Sequence, residues 1–178
     1  LLRRHSLGEE HRPLIVFTPK SMLKRKEAAS LPADFTSGSF RPLIGDPTTD
    51  PDAVEVLLLC SGRVTWDLMT ARGKREDPER FAIARIEQLY PRPVEELKHE
   101  LSRYPNLKTV RWVQDEPLNM GPAPHFRVNL FPALGMDVEV ISRPESSSPS
   151  VGQHSRHVQE QRDLMDQAFG VAVTTSGA

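Results

Sequence analysis

Four polar side chains whose types could do acid–base chemistry lie close together in the chain. They are Gln114, Asp115, Glu116 and Asn119, and they follow an apolar run that ends at Val113. Neighbouring carboxyl groups can transfer protons to and from a substrate, and they can also orient a loop at a subunit contact. Because no histidine and no metal-type spacing accompanies them, we interpret the segment as a structural or interface loop, with acid–base catalysis left as an alternative.

The turn from Cys60 to Arg63 is a second candidate for ligand binding, since it lies between an apolar run and an amphipathic stretch. The carboxyl ends of buried strands, and the N-termini of the helices that follow them, attract anions. The turn lacks the glycine spacing of dinucleotide-binding and ATP-binding loops. We therefore interpret Gly62 as serving a tight turn and Cys60 as a small buried hydrophobic residue.

Two further clusters have a simple structural interpretation. His154 and His157 are spaced to share a helix face, but two imidazoles without a third ligand do not make a metal site. A basic run between residues 20 and 26 has the charge to contact phosphates, and it is also typical of a solvated or interdomain surface. Its members are Lys20, Lys24, Arg25 and Lys26.

These residues need a scaffold, and the apolar pattern predicts one. Short apolar runs bounded by breakers are typical of strands, and they lie at residues 13–18, 54–60, 81–86, 109–114 and 136–141. Helical spacing predicts helices at residues 64–74, 93–101, 119–130 and 155–169. From Val54 onward strands and helices alternate, which is the signature of a three-layer α/β domain.

The segment between the first two predicted strands separates two regions. It is rich in proline and has little periodicity, so we place a linker at residues 31–52. Residues 1–30 then form the end of a preceding domain, with a last helix turn, a strand and a short helix. Residues 53–170 form the α/β domain, and the tail at residues 171–178 is expected to be disordered. Because the chain begins without methionine, we expect it to be cut from a longer protein.

The overall composition excludes several classes of protein. The chain has 178 residues and a formal net charge of −1, which provides no general attraction to nucleic acid or to an anionic membrane surface. Its apolar runs fall short of the roughly 20 residues that a membrane-spanning helix needs. The single cysteine rules out an internal disulfide and is typical of a reducing cytoplasm.

Six segments, taken in order, resemble the C-terminal end of the E1 component of 2-oxoglutarate dehydrogenase in its actinobacterial form. They lie at residues 12–23, 60–64, 83–91, 112–121, 142–144 and 148–152. Their order and spacing match over roughly residues 1–170. The usual family pattern Gln-Glu-Glu-Pro-x-Asn-Gln-Gly-Ala begins at Gln114, and the chain departs from it at Asp115, Met120 and Pro122.

The resemblance implies a fold and an activity for the parent protein. The fold is that of the C-terminal domain of transketolase-like enzymes, a mixed, mostly parallel five-stranded sheet between helices. Residues 1–30 would close the preceding pyrimidine-binding domain. The activity is the thiamin-diphosphate-dependent decarboxylation of 2-oxoglutarate in the tricarboxylic acid cycle, with transfer of the succinyl group to a lipoyl arm of the E2 component. The E1 homodimer would work in a complex with E2 and E3.

The resemblance also implies that the reactive groups lie elsewhere. Residues that bind thiamin diphosphate, magnesium and the 2-oxo acid lie upstream in such enzymes. We therefore expect no catalytic, cofactor-binding or metal-binding residue here, and no activity of these 178 residues alone. Actinobacterial relatives bind acetyl-CoA as an activator, and of the positions carried over Arg4 and Gln88 match. Ser39, Glu95 and Glu96 stand where basic or polar contacts are expected.

Two alternatives stay open on the sequence alone. One is the same domain in an E1 that acts on another 2-oxo acid, such as 2-oxoadipate. The other is a regulatory or dimerisation module without catalytic partner domains. Because the residues that grip the second carboxylate lie outside this segment, its sequence does not distinguish these substrates.

Overall fold

The computed structural model describes residues 2–9, 12–47 and 50–170. The chain forms two compact units, Leu1–Arg41 and Pro42–Ala178. The predicted disordered tail at residues 171–178 lies outside the described residues. None of the helices in the described ranges is both long and apolar enough to cross a bilayer.

The first unit contains only short helices. α1 spans Leu2–Leu7 and α2 spans Ala33–Thr36, and two 3-10 turns at Lys20–Lys24 and Lys26–Ala28 replace the predicted short helix. The strand predicted at residues 13–18 is not formed among the described residues, where that segment pairs with no other strand. A β-strand needs a partner for its N–H and C=O groups, and Phe17 is 93% exposed.

The second unit is built around one sheet of five strands in the order β1-β3-β2-β4-β5. Strands β2 to β5 run parallel to one another, while the edge strand β1 is antiparallel to β3. The mixed, mostly parallel five-stranded sheet is therefore confirmed. The strands are β1 (Leu43–Ile44), β2 (Val56–Cys60), β3 (Phe81–Ile86), β4 (Thr109–Pro117) and β5 (Val138–Arg143).

The edge strand β1 was not predicted, and it lies inside the stretch assigned to a linker. Leu43 pairs with Ile86, and the buried carboxylate of Asp46 accepts a hydrogen bond of 3.1 Å from the backbone N–H of Ile83. Asp46 also forms an ion pair with Arg72. Residues 42–46 are consequently part of the α/β domain, which begins before the predicted start at residue 53.

Helices cover both faces of the sheet, which confirms the three-layer α/β/α architecture. Successive residues of a strand point to opposite faces, so Leu57 and Leu59 pack with α4, α5 and α6, whereas Leu58 and Cys60 pack with α3 and α7. The helices are α3 (Val64–Arg72), α4 (Val94–Ser102), α5 (Ala123–Asn129), α6 (Phe131–Leu134) and α7 (His154–Ala168).

The predicted helix at residues 119–130 differs from the structure in a way that its prolines explain. Pro122 precedes the first residue of α5, and Pro132 stands in the first turn of α6. Proline suits the first turn of a helix but interrupts its interior, because it lacks an N–H donor. Residues 119–122 are therefore left as a loop at the end of β4, which is where the polar cluster lies.

Candidate functional site

The most promising place for a ligand in this topology lies between the carboxyl ends of β2 and β4. These neighbouring strands are parallel, yet β2 leads into α3 on one face and β4 leads into α5 on the other. Chain connections that diverge in this way leave a crevice between the strand ends, which is where doubly wound folds bind ligands. The predicted turn at Cys60 to Arg63 and the predicted loop after Gln114 both border this crevice.

An ion pair spans the crevice. The guanidinium of Arg63 lies 2.8 Å from a carboxylate oxygen of Asp115 and 2.8 Å from a carboxylate oxygen of Asp67, one turn along α3. The structure thus brings together the two sequence-predicted segments through Arg63 and Asp115. Because both sides of the guanidinium already face carboxylates, Arg63 is not poised to receive an anion.

Arg143, at the end of β5, continues the same network. Its side chain is 8% exposed; Nε donates to the backbone carbonyl of Asp115 at 2.8 Å, and Nη2 donates to Oε1 of Gln161 at 2.6 Å. Arg143 also pairs with Glu160 at 3.1 Å, and Gln161 donates to Asp67 at 3.2 Å. The contacts form a closed ring that joins α3, β4, β5 and α7.

Asp115 contributes a carboxyl group from β4 to this ring. Burial raises its pKa above the usual value, and the neighbouring charge of Asp67 acts in the same direction, while Arg63 lowers it. Its Oδ1 atom is buried without a hydrogen-bond partner among the described residues. The site therefore disfavours the ionised form of Asp115 relative to water, in spite of the ion pair.

Gln114 is buried and makes all of its hydrogen bonds inside the molecule. Its Oε1 accepts from the indole N–H of Trp112 at 2.9 Å and from the backbone N–H of Ala123 at 3.0 Å. Its Nε2 faces the backbone carbonyls of Glu116, Pro117 and Met120 at 3.3, 3.0 and 2.8 Å. Gln114 is consequently not available as a direct interface contact, whereas Glu116 is exposed.

Asn119 ties this loop to the segment that follows β5. Its amide donates to the carbonyl of Ser146 at 2.9 Å, and its Oδ1 accepts from the N–H of Ser146 at 3.1 Å. The N–H of Leu118 bonds the carbonyl of Arg143 at 3.0 Å. The departure at Met120 leaves this network intact, because position 120 takes part through its backbone carbonyl.

A shallow depression of about 230 Å³ lies beside the ring. Its charged lining groups include Arg63, Arg143, Asp115 and Glu160. A diphosphate group needs N–H donors that are not already paired with carboxylates, but both arginines here already bond carboxylates. In the part of the chain that the structure describes, no group of three or more His, Cys, Asp or Glu side chains is placed to hold a metal ion. The residues that line this depression therefore do not fit thiamin diphosphate and its magnesium ion.

Cys60 is the last residue of β2 and is fully buried. Its Sγ is 3.2 Å from Oγ1 of Thr65, and burial raises the pKa of the thiol to about 12. The thiol is therefore not a nucleophile near neutral pH. Gly62 adopts φ of +68° in the turn that follows, a conformation that favours glycine.

The acetyl-CoA positions carried over from the resemblance fall in different units. The Arg4 guanidinium lies 4.8 Å from the centre of the Phe40 ring in the first unit. Gln88, in the second unit, donates to the carbonyl of Pro91 at 2.8 Å. Glu95 and Glu96 line a separate open depression of about 400 Å³ together with Glu100, which makes that surface acidic.

The two remaining predicted groups, the histidine pair and the basic run, do not share a site. His154 opens α7 and His157 lies in its first turn, and both are exposed. The basic run at residues 20–26 forms the two 3-10 turns of the first unit and is largely exposed.

Sequence reasoning missed Asp67, Glu160 and Gln161, which reach the site from helices; Asp67 and Gln161 are 94 residues apart in the chain. The sequence signal that could have led to them is Arg143, which bonds Glu160 and Gln161 and lies in one of the six segments that resemble the family.

Comparisons with known proteins match this chain to one family. Residues 29–169 match the family model described as 2-oxoglutarate dehydrogenase C-terminal. A multifunctional 2-oxoglutarate metabolism enzyme of Mycobacterium sp. (strain KMS) is 45% identical over 177 residues, which cover 95% of this chain and 14% of that protein. A namesake in Mycolicibacterium vanbaalenii is 42% identical over 178 residues, covering 96% of this chain and 14% of its own length.

A third relative carries a different name. The 2-oxoglutarate dehydrogenase E1 component of Exiguobacterium sp. is 40% identical over 186 aligned residues, which cover all of this chain and 20% of that protein. The chain therefore spans between about one-seventh and one-fifth of the length of these relatives. With a family model that covers most of its residues and with such similarity over its whole length, the chain belongs to the 2-oxoglutarate dehydrogenase C-terminal family.

Proposed function

We propose that this chain is the C-terminal portion of a thiamin-diphosphate-dependent E1 of 2-oxoglutarate dehydrogenase. The parent enzyme would decarboxylate 2-oxoglutarate oxidatively and transfer the succinyl group to a lipoyl arm of an E2 component, with E3 completing the complex in the cytoplasm. The observation that supports this proposal is the family match over residues 29–169, together with relatives that are named for 2-oxoglutarate metabolism.

Within that enzyme, we assign the chain a structural contribution. The crevice between β2 and β4 is spanned by the Arg63–Asp115 pair, and Gln114 and Arg143 are engaged internally. Thiamin diphosphate and magnesium would be held by upstream domains, and residues 1–30 would complete the preceding pyrimidine-binding domain. The β4–α5 loop, taken here together with the last three residues of β4 as residues 115–122, would contact the partner subunit of a homodimer or the surroundings of the active site, through exposed groups such as Glu116.

Regulation is a separate part of the proposal. As the resemblance implies, Arg4 and Gln88 are each a candidate contact for acetyl-CoA. Glu95 and Glu96 lie on an acidic surface, and like charges repel the phosphates of a nucleotide. We therefore propose that any acetyl-CoA contact of this chain lies away from Glu95 and Glu96. Calorimetric titration of the full-length parent with acetyl-CoA, repeated with Arg4→Ala, tests this part.

The main experiment compares the full-length parent with these 178 residues. The purified parent, supplied with thiamin diphosphate and magnesium, is expected to release carbon dioxide from 2-oxoglutarate, and to do so faster than from 2-oxoadipate. The isolated chain is expected to show no turnover with either acid. Turnover by the isolated chain would overturn the structural role, and a preference for 2-oxoadipate would reassign the substrate. A parent that decarboxylates neither acid would point to a non-catalytic module.

A further inference from the structure

The buried side chain of Gln114 bonds three backbone carbonyls of the β4–α5 loop and the backbone N–H of Ala123, the first residue of α5. We propose that Gln114 is a positioning residue, which acts through Glu116 and Asn119 by holding residues 115–122 in a single conformation at the end of β4. The proposal rests on the proposed function in one respect, that this loop contacts the rest of the parent enzyme. It assigns Gln114 a role different from that of a contact residue.

The carboxamide of Gln114 is saturated with hydrogen bonds. A primary amide offers two N–H donors and an oxygen with two lone pairs. Both lone pairs of Oε1 are used, by Trp112 and by the N–H of Ala123. The two donors face three backbone carbonyls of the loop, at distances from 2.8 to 3.3 Å. Donors surround the oxygen and acceptors surround the nitrogen, so the neighbourhood defines one orientation of the amide.

Gln114 also connects the loop to the buried core of the domain. Trp112 is fully buried and meets Phe126 of α5 edge to face, with ring centres 4.9 Å apart. Its indole N–H is one of the two donors to Oε1 of Gln114. Because Gln114 bonds the core on one side and four backbone groups of residues 116–123 on the other, the loop conformation is set from inside the sheet.

Besides Gln114, the loop is held by the N–H of Met120, which donates to the carbonyl of Pro117 at 2.9 Å, and by the two hydrogen bonds between Asn119 and Ser146. Leu118, Met120 and Pro122 have apolar side chains, and Gly121 adopts φ of +66°. A Cβ atom at position 121 would lie 3.0 Å from the Cβ of Glu116, so the stem of Glu116 folds across the glycine. The place of the Glu116 carboxylate therefore depends on the turn that Gln114 bonds.

Gln114→Glu is the informative substitution, because it changes one NH₂ group to an oxygen at almost the same volume. An ionised glutamate would face the three carbonyls with an acceptor where donors are needed, and a buried acceptor facing acceptors is strongly disfavoured. Gln153→Glu makes the same chemical change at an exposed position and serves as the matched control. Gln114→Met, which removes the hydrogen bonds without adding charge, serves if the glutamate variant does not fold.

The experiment measures amide hydrogen exchange of residues 115–123 in the full-length parent, together with steady-state turnover of 2-oxoglutarate. We expect Gln114→Glu, or Gln114→Met in its place, to exchange at least tenfold faster in this segment, with unchanged exchange in β2 and β3. We expect kcat to fall at least fivefold while KM changes less than twofold, because the substrate-binding residues are proposed to lie upstream. Gln153→Glu should match the unmodified parent in both measurements.

Two results would overturn the proposal. Unchanged exchange in residues 115–123 would show that Gln114 does not hold the loop, whatever the parent catalyses. Faster exchange with unchanged kcat would show that the position of the loop has no functional effect. If the unmodified parent does not turn over 2-oxoglutarate, the proposed function fails by itself, and the exchange data still decide whether Gln114 fixes the loop.

Discussion

Gly45 lies against the carboxylate of Glu100, so closely that a Cβ atom at position 45 would be 2.6 Å from Oε1. The carboxylate is buried, and it accepts hydrogen bonds from Arg103 at 2.8 Å and from the Tyr104 hydroxyl at 2.6 Å. These bonds leave Glu100 little freedom to move away. The contact joins the residue after β1 to the C-terminal half of α4, and it explains why glycine is needed beside a two-residue strand.

Gly45→Ala is expected to destabilise the domain by about 1–3 kcal/mol, because overpacking against a fixed group forces the backbone or the carboxylate to shift. Urea denaturation followed by circular dichroism measures the change. Gly152→Ala is the control, since a Cβ atom at position 152 would have no heavy atom within 4 Å. The free energy of unfolding of this control should stay within about 0.5 kcal/mol of that of the unmodified protein. Equal effects of the two substitutions would contradict the importance of the Glu100 contact.

Cys60 is expected to resist thiol reagents in the native protein. With the pKa of the thiol raised to about 12 by burial, only about 1 in 10⁴ of the thiols is ionised at pH 8. Reaction with a chromogenic disulfide at pH 8 should therefore be at least a hundredfold slower than after unfolding in urea. Ser147→Cys, at an exposed position, in a Cys60→Ser background provides the reactive control, and equally fast labelling of Cys60 would refute the buried assignment.

Asp115→Asn is expected to stabilise the protein at pH 7. Burial raises the folded-state pKa of Asp115 above its unfolded value, so the ionised form carries a cost that is fully present above the folded-state pKa. That cost disappears as the pH falls below the unfolded value. Thermal melts from pH 7 down to pH 3.5 should show the advantage of the Asp115→Asn variant shrinking toward zero. Asp52→Asn, at an exposed position, is the control, and a destabilised Asp115→Asn variant at pH 7 would contradict the sign.

Arg143→Lys is expected to lower the free energy of unfolding by about 1.5–3 kcal/mol. A lysine cannot reproduce the hydrogen bonds that Arg143 makes in three directions from a side chain that is 8% exposed. Arg156 pairs with the same glutamate, Glu160, but its side chain is 66% exposed. Arg156→Lys should therefore change the free energy of unfolding by less than about 0.5 kcal/mol. Similar losses for both substitutions in urea denaturation would mean that the buried ring around Arg143 adds nothing to stability.

The parts of the fold that sequence reasoning predicted are those with a local signal. The run from Val54 to Cys60 is apolar without interruption apart from Glu55, and β2 occupies Val56–Cys60 with all five residues buried. β1 escaped prediction because two residues, Leu43 and Ile44, are too few to show a period. Residues 13–18 have the composition of a strand, but a strand forms only where a partner strand is present.

In the candidate site, too, the residues that sequence reasoning identified are those with a local signal. Gln114, Asp115, Glu116 and Asn119 were found because they are neighbours in the chain. The partners that give them their roles come from distant positions, since Asn119 bonds Ser146, 27 residues away, and Arg63 reaches Asp115 across the sheet. Such pairings depend on the strand order, which the apolar pattern does not determine. Whether Gln114 would be buried or exposed depended on the turn that encloses it.

The early start of the domain at Pro42 has a practical consequence for anyone who shortens this polypeptide. A truncation at residue 53 would delete β1 and Asp46, and with Asp46 the acceptor of the Ile83 N–H. The outer side of β3 would then present unpaired backbone groups, a known route to aggregation. Versions made for crystallisation or for protein engineering should therefore retain residue 42 and everything that follows it.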